Sequence, residues 1–242
     1  MSVTADQDLI VKQLDARFMT RVFMVFAGLA VVAGLILLAG RHFSGMIAMA
    51  GNTEDTTIRE IVTGNNVFHV PSNMIRYERQ RADGAQDKLE LYVRWPDMTG
   101  YKRVHADDFN NASGRHNIVF LTFQEQIMSR DMSGRVEPIY RDLIIEPGIA
   151  GPGGLTMHGF KEKTGYLDEL LVLGSRKGEP PFAARCLAGE AARQSMAACE
   201  RDIHVGDHLS LTYRFSRDLL ADWRRLDAGV VSLANKLLVT EK

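Results

Sequence analysis

The chain has few of the features that announce chemistry. It holds only two cysteines. A single C-x12-C pair lacks the ligand number and spacing of a zinc site. An excess of one charge sign is also missing, since 29 Lys+Arg stand against 30 Asp+Glu. That balance offers no basic stripe for nucleic acid. There is no G-x-S-x-G elbow and no S-x-x-K pair, so no nucleophile is nominated. Gly151-Pro152-Gly153-Gly154 is glycine-rich, but it contains no lysine and opens no helix, and it reads as a tight turn rather than a phosphate cradle. No catalytic residue, metal or cofactor is expected.

Against these absences stands one long apolar run, Val22 to Gly40, free of charge between Arg21 and Arg41. As a helix it spans about 28 Å, which matches a hydrocarbon core of about 30 Å. The chain divides around it into a tail (1–21), a span (22–40), a linker (41–57) and one domain (58–242). Lys12, Arg17 and Arg21 precede the span, whereas Arg41 and Arg59 are the basic residues in the first twenty after it. By the positive-inside rule the tail is cytoplasmic and the domain is exported, giving a single-pass inner-membrane protein with a periplasmic domain. The rival reading is a cleaved signal peptide ending at Ala48-Met49-Ala50. The apolar run exceeds the 7–15 residues of a secretory core segment, and Ala50 lies well past it. Within the tail, Ile10, Leu14 and Phe18 recur every four residues, as on a short interfacial helix. In the span, Ala30 and Gly34 form a small-xxx-small pair.

Cys186 and Cys199 both follow the span. In an oxidising compartment such a pair reads as one disulfide, worth roughly 3 kcal/mol for a loop of this size; two free buried thiols are the alternative. The intervening LAGEAARQSMAA is Ala-rich and helix-forming.

From residue 58 the pattern is β. Candidate strands lie at 58–62, 67–70, 88–95, 117–123, 138–145, 155–160, 168–174 and 208–215. Leu89, Leu91, Val93 and Trp95 alternate with Lys88, Glu90, Tyr92 and Arg94; Leu209, Leu211, Tyr213 and Phe215 alternate with Ser210, Thr212 and Arg214. Period two means strands with one wet face. Turn residues such as Asp83-Gly84 and Ser133-Gly134 punctuate the series. The expected fold class is therefore mainly β, an antiparallel sandwich or open barrel, closed by a C-terminal amphipathic helix at 216–238. Ser216 caps that helix. Leu219, Trp223, Leu226, Val230, Leu233 and Leu237 form its apolar seam, which either packs on the sheet or docks a partner helix or a second copy.

Three constellations remain. Arg76, Tyr77, Arg79 and Arg81 form the densest basic cluster and are candidates for an anionic glycan or headgroup, with Tyr101 as a further exposed aromatic. His204 and His208 have the spacing of a helical metal pair, yet Gly206-Asp207 between them reads as a turn. Asp107-Asp108-Phe109-Asn110-Asn111 is oxygen-rich but lacks the register of a calcium loop.

The stretches HVPSNMIRYERQR (69–81), LYVRWPDMTGY (91–101), SRDMSGR (129–135) and PFAARC…CERDI (181–203) resemble a family of bacterial membrane proteins with one span and an exported domain, a family without an assigned activity. The resemblance implies placement and transfers no catalytic residue. The expected function is a non-enzymatic accessory subunit of a cell-envelope membrane complex. The alternatives are a binding module for cell-wall or anionic polysaccharide and, third, an envelope hydrolase.

Overall fold

A computed structural model describes residues 16–49, 51–111 and 116–239. Ile10 and Leu14 of the tail pattern, and Ala50, lie outside them. The chain forms two compact units, Met1–Ala48 and Met49–Lys242.

Among the described residues the first unit consists of helix α1, which runs Ala16–Met49. Its window Arg17–Leu37 is long and apolar enough to cross a membrane, and none of it is buried. Helix α1 continues through residues 41–49 of the expected linker. Residues 52–57 of that linker belong to the second unit: the Tyr92 hydroxyl donates to Asn52 Oδ1 at 2.9 Å, and the Arg103 amide donates to Glu54 at 2.8 Å.

The second unit is mainly β. Its strands are β1 (Ile58–Thr63), β2 (Asn66–Pro71), β3 (Gly84–Ala85), β4 (Lys88–Arg94), β5 (Ile118–Glu125), β6 (Ile149–Ala150), β7 (Thr156–Gly159), β8 (Glu169–Gly174), β9 (Phe182–Leu187), β10 (Cys199–Val205) and β11 (Leu209–Phe215). An eight-stranded sheet runs β4-β5-β11-β10-β9-β8-β7-β6, and β2-β1-β3 form a second, small sheet. Every pair in the large sheet is antiparallel.

The alternation in β4 and β11 does what period two requires. Leu89, Leu91 and Val93 face Phe123, Leu121 and Val119 of β5, and Leu211 and Tyr213 face Phe123 and Leu121 from the other side; all are buried. The Ser216 side chain caps a 3-10 turn (Arg217–Asp222) that leads into helix α2 (Trp223–Leu237). Leu219, Trp223, Leu226, Val230, Leu233 and Leu237 are all buried in the main core with this sheet. The seam is thus filled by the chain's own strands. Of the two expected arrangements, the one present is packing on the sheet, which already takes this face out of water. Beyond the helix, the Val239 amide donates to the Val67 carbonyl at 3.0 Å, tying the segment to β2.

The far face of the sheet is drier than the alternation suggested. Tyr92 is buried with Tyr101 and Ile118, and Phe109 meets both tyrosine rings edge-on. Elsewhere on the sheet, Met132, Val136, Tyr140 and Ile144 bury against Leu171 and Ala183. Residues 138–145, expected as a strand, are largely helical: a π turn (Val136–Tyr140) runs into a turn of α-helix (Arg141–Leu143). Val136, Tyr140 and Ile144 are four apart and share one helical face.

Strands β9 and β10 were not expected. They carry the two cysteines and flank the Ala-rich piece, which forms a short helix at Gly189–Gln194. The Cys186–Cys199 disulfide is present and joins residues directly paired across the two strands. β9 and β10 share only two registered pairs, against seven between β10 and β11. Past Glu200 the sheet opens. The Met132 amide reaches the Asp202 carbonyl, and the Arg201 side chain bonds the Ala183 carbonyl across the gap.

Candidate functional site

Where the sheet opens, the core becomes polar. Arg201 lies opposite Tyr213 in the β10–β11 register, so both side chains leave the same sheet face. Both reach Asp227 of α2. Arg201 Nε donates to Asp227 Oδ1 at 2.9 Å, and the Tyr213 hydroxyl donates to the same oxygen. Arg176, on the turn after β8, donates to Oδ2. Arg201 Nη1 also donates to Ser133 Oγ at 2.8 Å and to the Ala183 carbonyl at 2.9 Å, with its guanidinium over the Phe182 ring.

Arg201, Tyr213, Asp227 and Ser133 are all buried. Burial pushes the Asp227 carboxyl up, but Arg201, Tyr213 and Arg176 outweigh it and hold the group below the ordinary carboxylate range. Burial first, and the Asp227 charge with it, raise the Tyr213 phenol well above its ordinary value. At neutral pH the node is an ionised carboxylate, a neutral phenol and two guanidinium groups. It ties α2 to β10, β11 and the β8–β9 turn. Sequence reasoning placed Trp223 and Val230 on the seam and overlooked Asp227 between them. The available signals were a carboxylate four residues after a seam Trp, and an arginine in an inward slot of the C-E-R-D-I-H-V alternation.

Above this node lies an open groove of ≈ 1150 Å³. One side is the outer face of α2, with Arg224, Ala228, Val231, Ser232 and Asn235; the other is the turn Ser175–Glu179. Arg224 is held in place: its guanidinium stacks 4.3 Å from the Trp223 ring centroid and donates to the Gly153 carbonyl at 3.3 Å. Trp223 Nε1 donates to the same carbonyl at 3.1 Å. Gly153 is required there, since it has φ +63° and a Cβ would press on the Leu220 and Ala221 carbonyls.

The candidates named from the sequence elsewhere in the domain are dispersed in role. Arg76 lies over both Tyr77 and Phe120, and Arg79 over Tyr77. Arg81 is turned inward, with Nε donating to the Ile75 carbonyl at 3.1 Å. Tyr101, expected as an exposed aromatic, is buried in the Tyr92–Phe109 cluster and offers no stacking surface. His204 lies on β10 and His208 in the turn after it, with Nδ1 of His208 beside Asp207, so the two rings do not share a helical face. Among the described residues no group of three or more His, Cys, Asp or Glu is placed to hold a metal ion. Asp108 of the oxygen-rich loop instead accepts from Arg94 Nε at 2.8 Å.

No family model matches this chain, and no curated protein matches it. Solved structures do. An immunity protein of the Stenotrophomonas maltophilia type IV secretion system aligns with a TM-score of 0.51 and 14% identity, covering 76% of this chain and 94% of its own. The Neisseria meningitidis iron-regulated outer membrane lipoprotein FrpD aligns with a TM-score of 0.45 and 10% identity, covering 78% and 96%. At this identity the first likeness is one of fold.

Proposed function

We propose that this chain is a membrane-anchored, non-enzymatic subunit of a bacterial cell-envelope complex, whose exported domain binds a protein partner. The observation that carries this reading is α1. A 21-residue apolar window, none of it buried, calls for an apolar solvent, and a bilayer supplies one. The placement follows the basic residues: tail 1–21 in the cytoplasm, span 22–40 in the inner membrane, domain in the periplasm. A disulfide between β9 and β10 suits that oxidising side. The buried charges have a structural part in this reading: Asp227, Arg201 and Tyr213 bond one another inside the core and fasten α2 to the sheet. The same fold in an immunity protein of a secretion system is an analogy in keeping with this reading.

Orientation is tested separately from partnership. In intact inner-membrane vesicles of known sidedness, protease added from the periplasmic face should leave a short membrane-protected fragment containing α1. Protection of the whole domain from that face would reverse the orientation.

A further inference from the structure

The seam of α2 is occupied by the sheet, so a partner must meet another surface, and the groove on the opposite face of α2 has the chemistry for one. Along α2 it runs from Trp223 to Asn235, about 18 Å at 1.5 Å per residue. That length holds about five residues of extended peptide. Its α2 side is lined by Ala228, Val231 and Ser232, small enough for a backbone to come close. Its rim is cationic. Arg176, Lys177 and Arg224 face the groove against Glu179 and Asp227, and the Asp227 charge is already met from beneath by Arg201. Arg176 is paired with Asp227 and Glu179, whereas neither Lys177 nor Arg224 has a carboxylate partner among the described residues. Arg224 is further pre-oriented by Trp223 and Gly153, so ordering it on binding costs little.

We propose that this groove is the docking site for an acidic, partly apolar segment of the partner protein, its carboxylates meeting Arg224 and Lys177 and its apolar side chains lying on Ala228 and Val231. This rests on the partner-binding reading above and gives the partner's contact its chemistry.

The test uses the full chain in its native membranes. A benzophenone amino acid is placed at Ser232 or Asn235, with a control at Glu190 on the short helix beside the disulfide. After irradiation the adducts are mapped to peptides. The expected result is an adduct from 232 and 235, not from 190, to a partner segment of net negative charge. Its yield should fall about tenfold in Lys177→Glu/Arg224→Glu and survive in Lys177→Arg/Arg224→Lys. Lys177→Glu alone changes only an exposed side chain and should give a smaller loss in the same direction, which covers the case in which reversing Arg224 disturbs Trp223. Adducts to lipid, to a second copy of this chain or to a neutral or basic segment would overturn the proposal, as would no adduct. If a partner copurifies yet no groove adduct forms, the groove assignment alone falls. If nothing copurifies, the partner-binding reading falls with it.

Discussion

Asp227 keeps its charge inside the domain because Arg201, Tyr213 and Arg176 surround it, and removing that charge leaves two guanidinium groups without their shared counter-charge. Breaking a buried pair from one side costs about 3–5 kcal/mol. Asp227→Asn should therefore lower the unfolding free energy by that order, read from denaturant melts of the detergent-solubilised chain; a change under about 1 kcal/mol would show the node to be solvated. The pH dependence follows from the direction of the shift. The folded carboxyl titrates below its unfolded value of 3.8, so its stabilisation is complete above that value and is lost as pH falls through the folded pKa. Acid melts should lose stability below about pH 4, with a shallower loss in Asp227→Asn. Gly206 makes a second prediction. It turns β10 into β11 at φ +54°, where a Cβ would overlap the Asn66 side-chain oxygen that accepts from the Asp207 amide. Gly206→Ala should cost about 1–3 kcal/mol, measured in the same way.

At the scale of elements, the interior of the sheet is most thinly paired where β9 meets β10, and the disulfide sits at that junction. Cys186→Ser/Cys199→Ser should cost roughly 3 kcal/mol. Amide exchange should quicken first in β8 and β9, while β4, β5 and β11 stay protected; uniform quickening would mean that the two parts of the sheet do not open separately. What could be read from the sequence divides along the same lines. Strands β4 and β11 were legible because one face is buried throughout, so their alternation is unbroken. Strand β10 was hidden because Arg201 occupies an inward slot, a choice only the Asp227 node explains. β9 was hidden because Ala183 and Ala184 pack closely and carry little β preference. The 138–145 segment misled because its β-branched residues outvoted the four-residue spacing of Val136, Tyr140 and Ile144. The groove had no linear signal, since the turn 175–179 and α2 lie some 45 residues apart and meet only in the fold.

For the whole molecule, α1 is long and apolar enough to cross a membrane, and the last helix belongs to the core of the β domain. Trp223 packs on Phe182 with ring centroids 4.7 Å apart. Trp223→Ala should cost about 3–5 kcal/mol, and deleting 219–242 should unfold the domain instead of producing a folded domain that has merely released its partner. The central claim, a membrane-anchored subunit of a larger envelope assembly, is tested most directly by extracting native membranes in mild detergent, sizing the particle that contains this chain and identifying its companions. The predicted result is a stoichiometric assembly with at least one other membrane protein. A lone monomer or dimer of 27.0 kDa chains would contradict it.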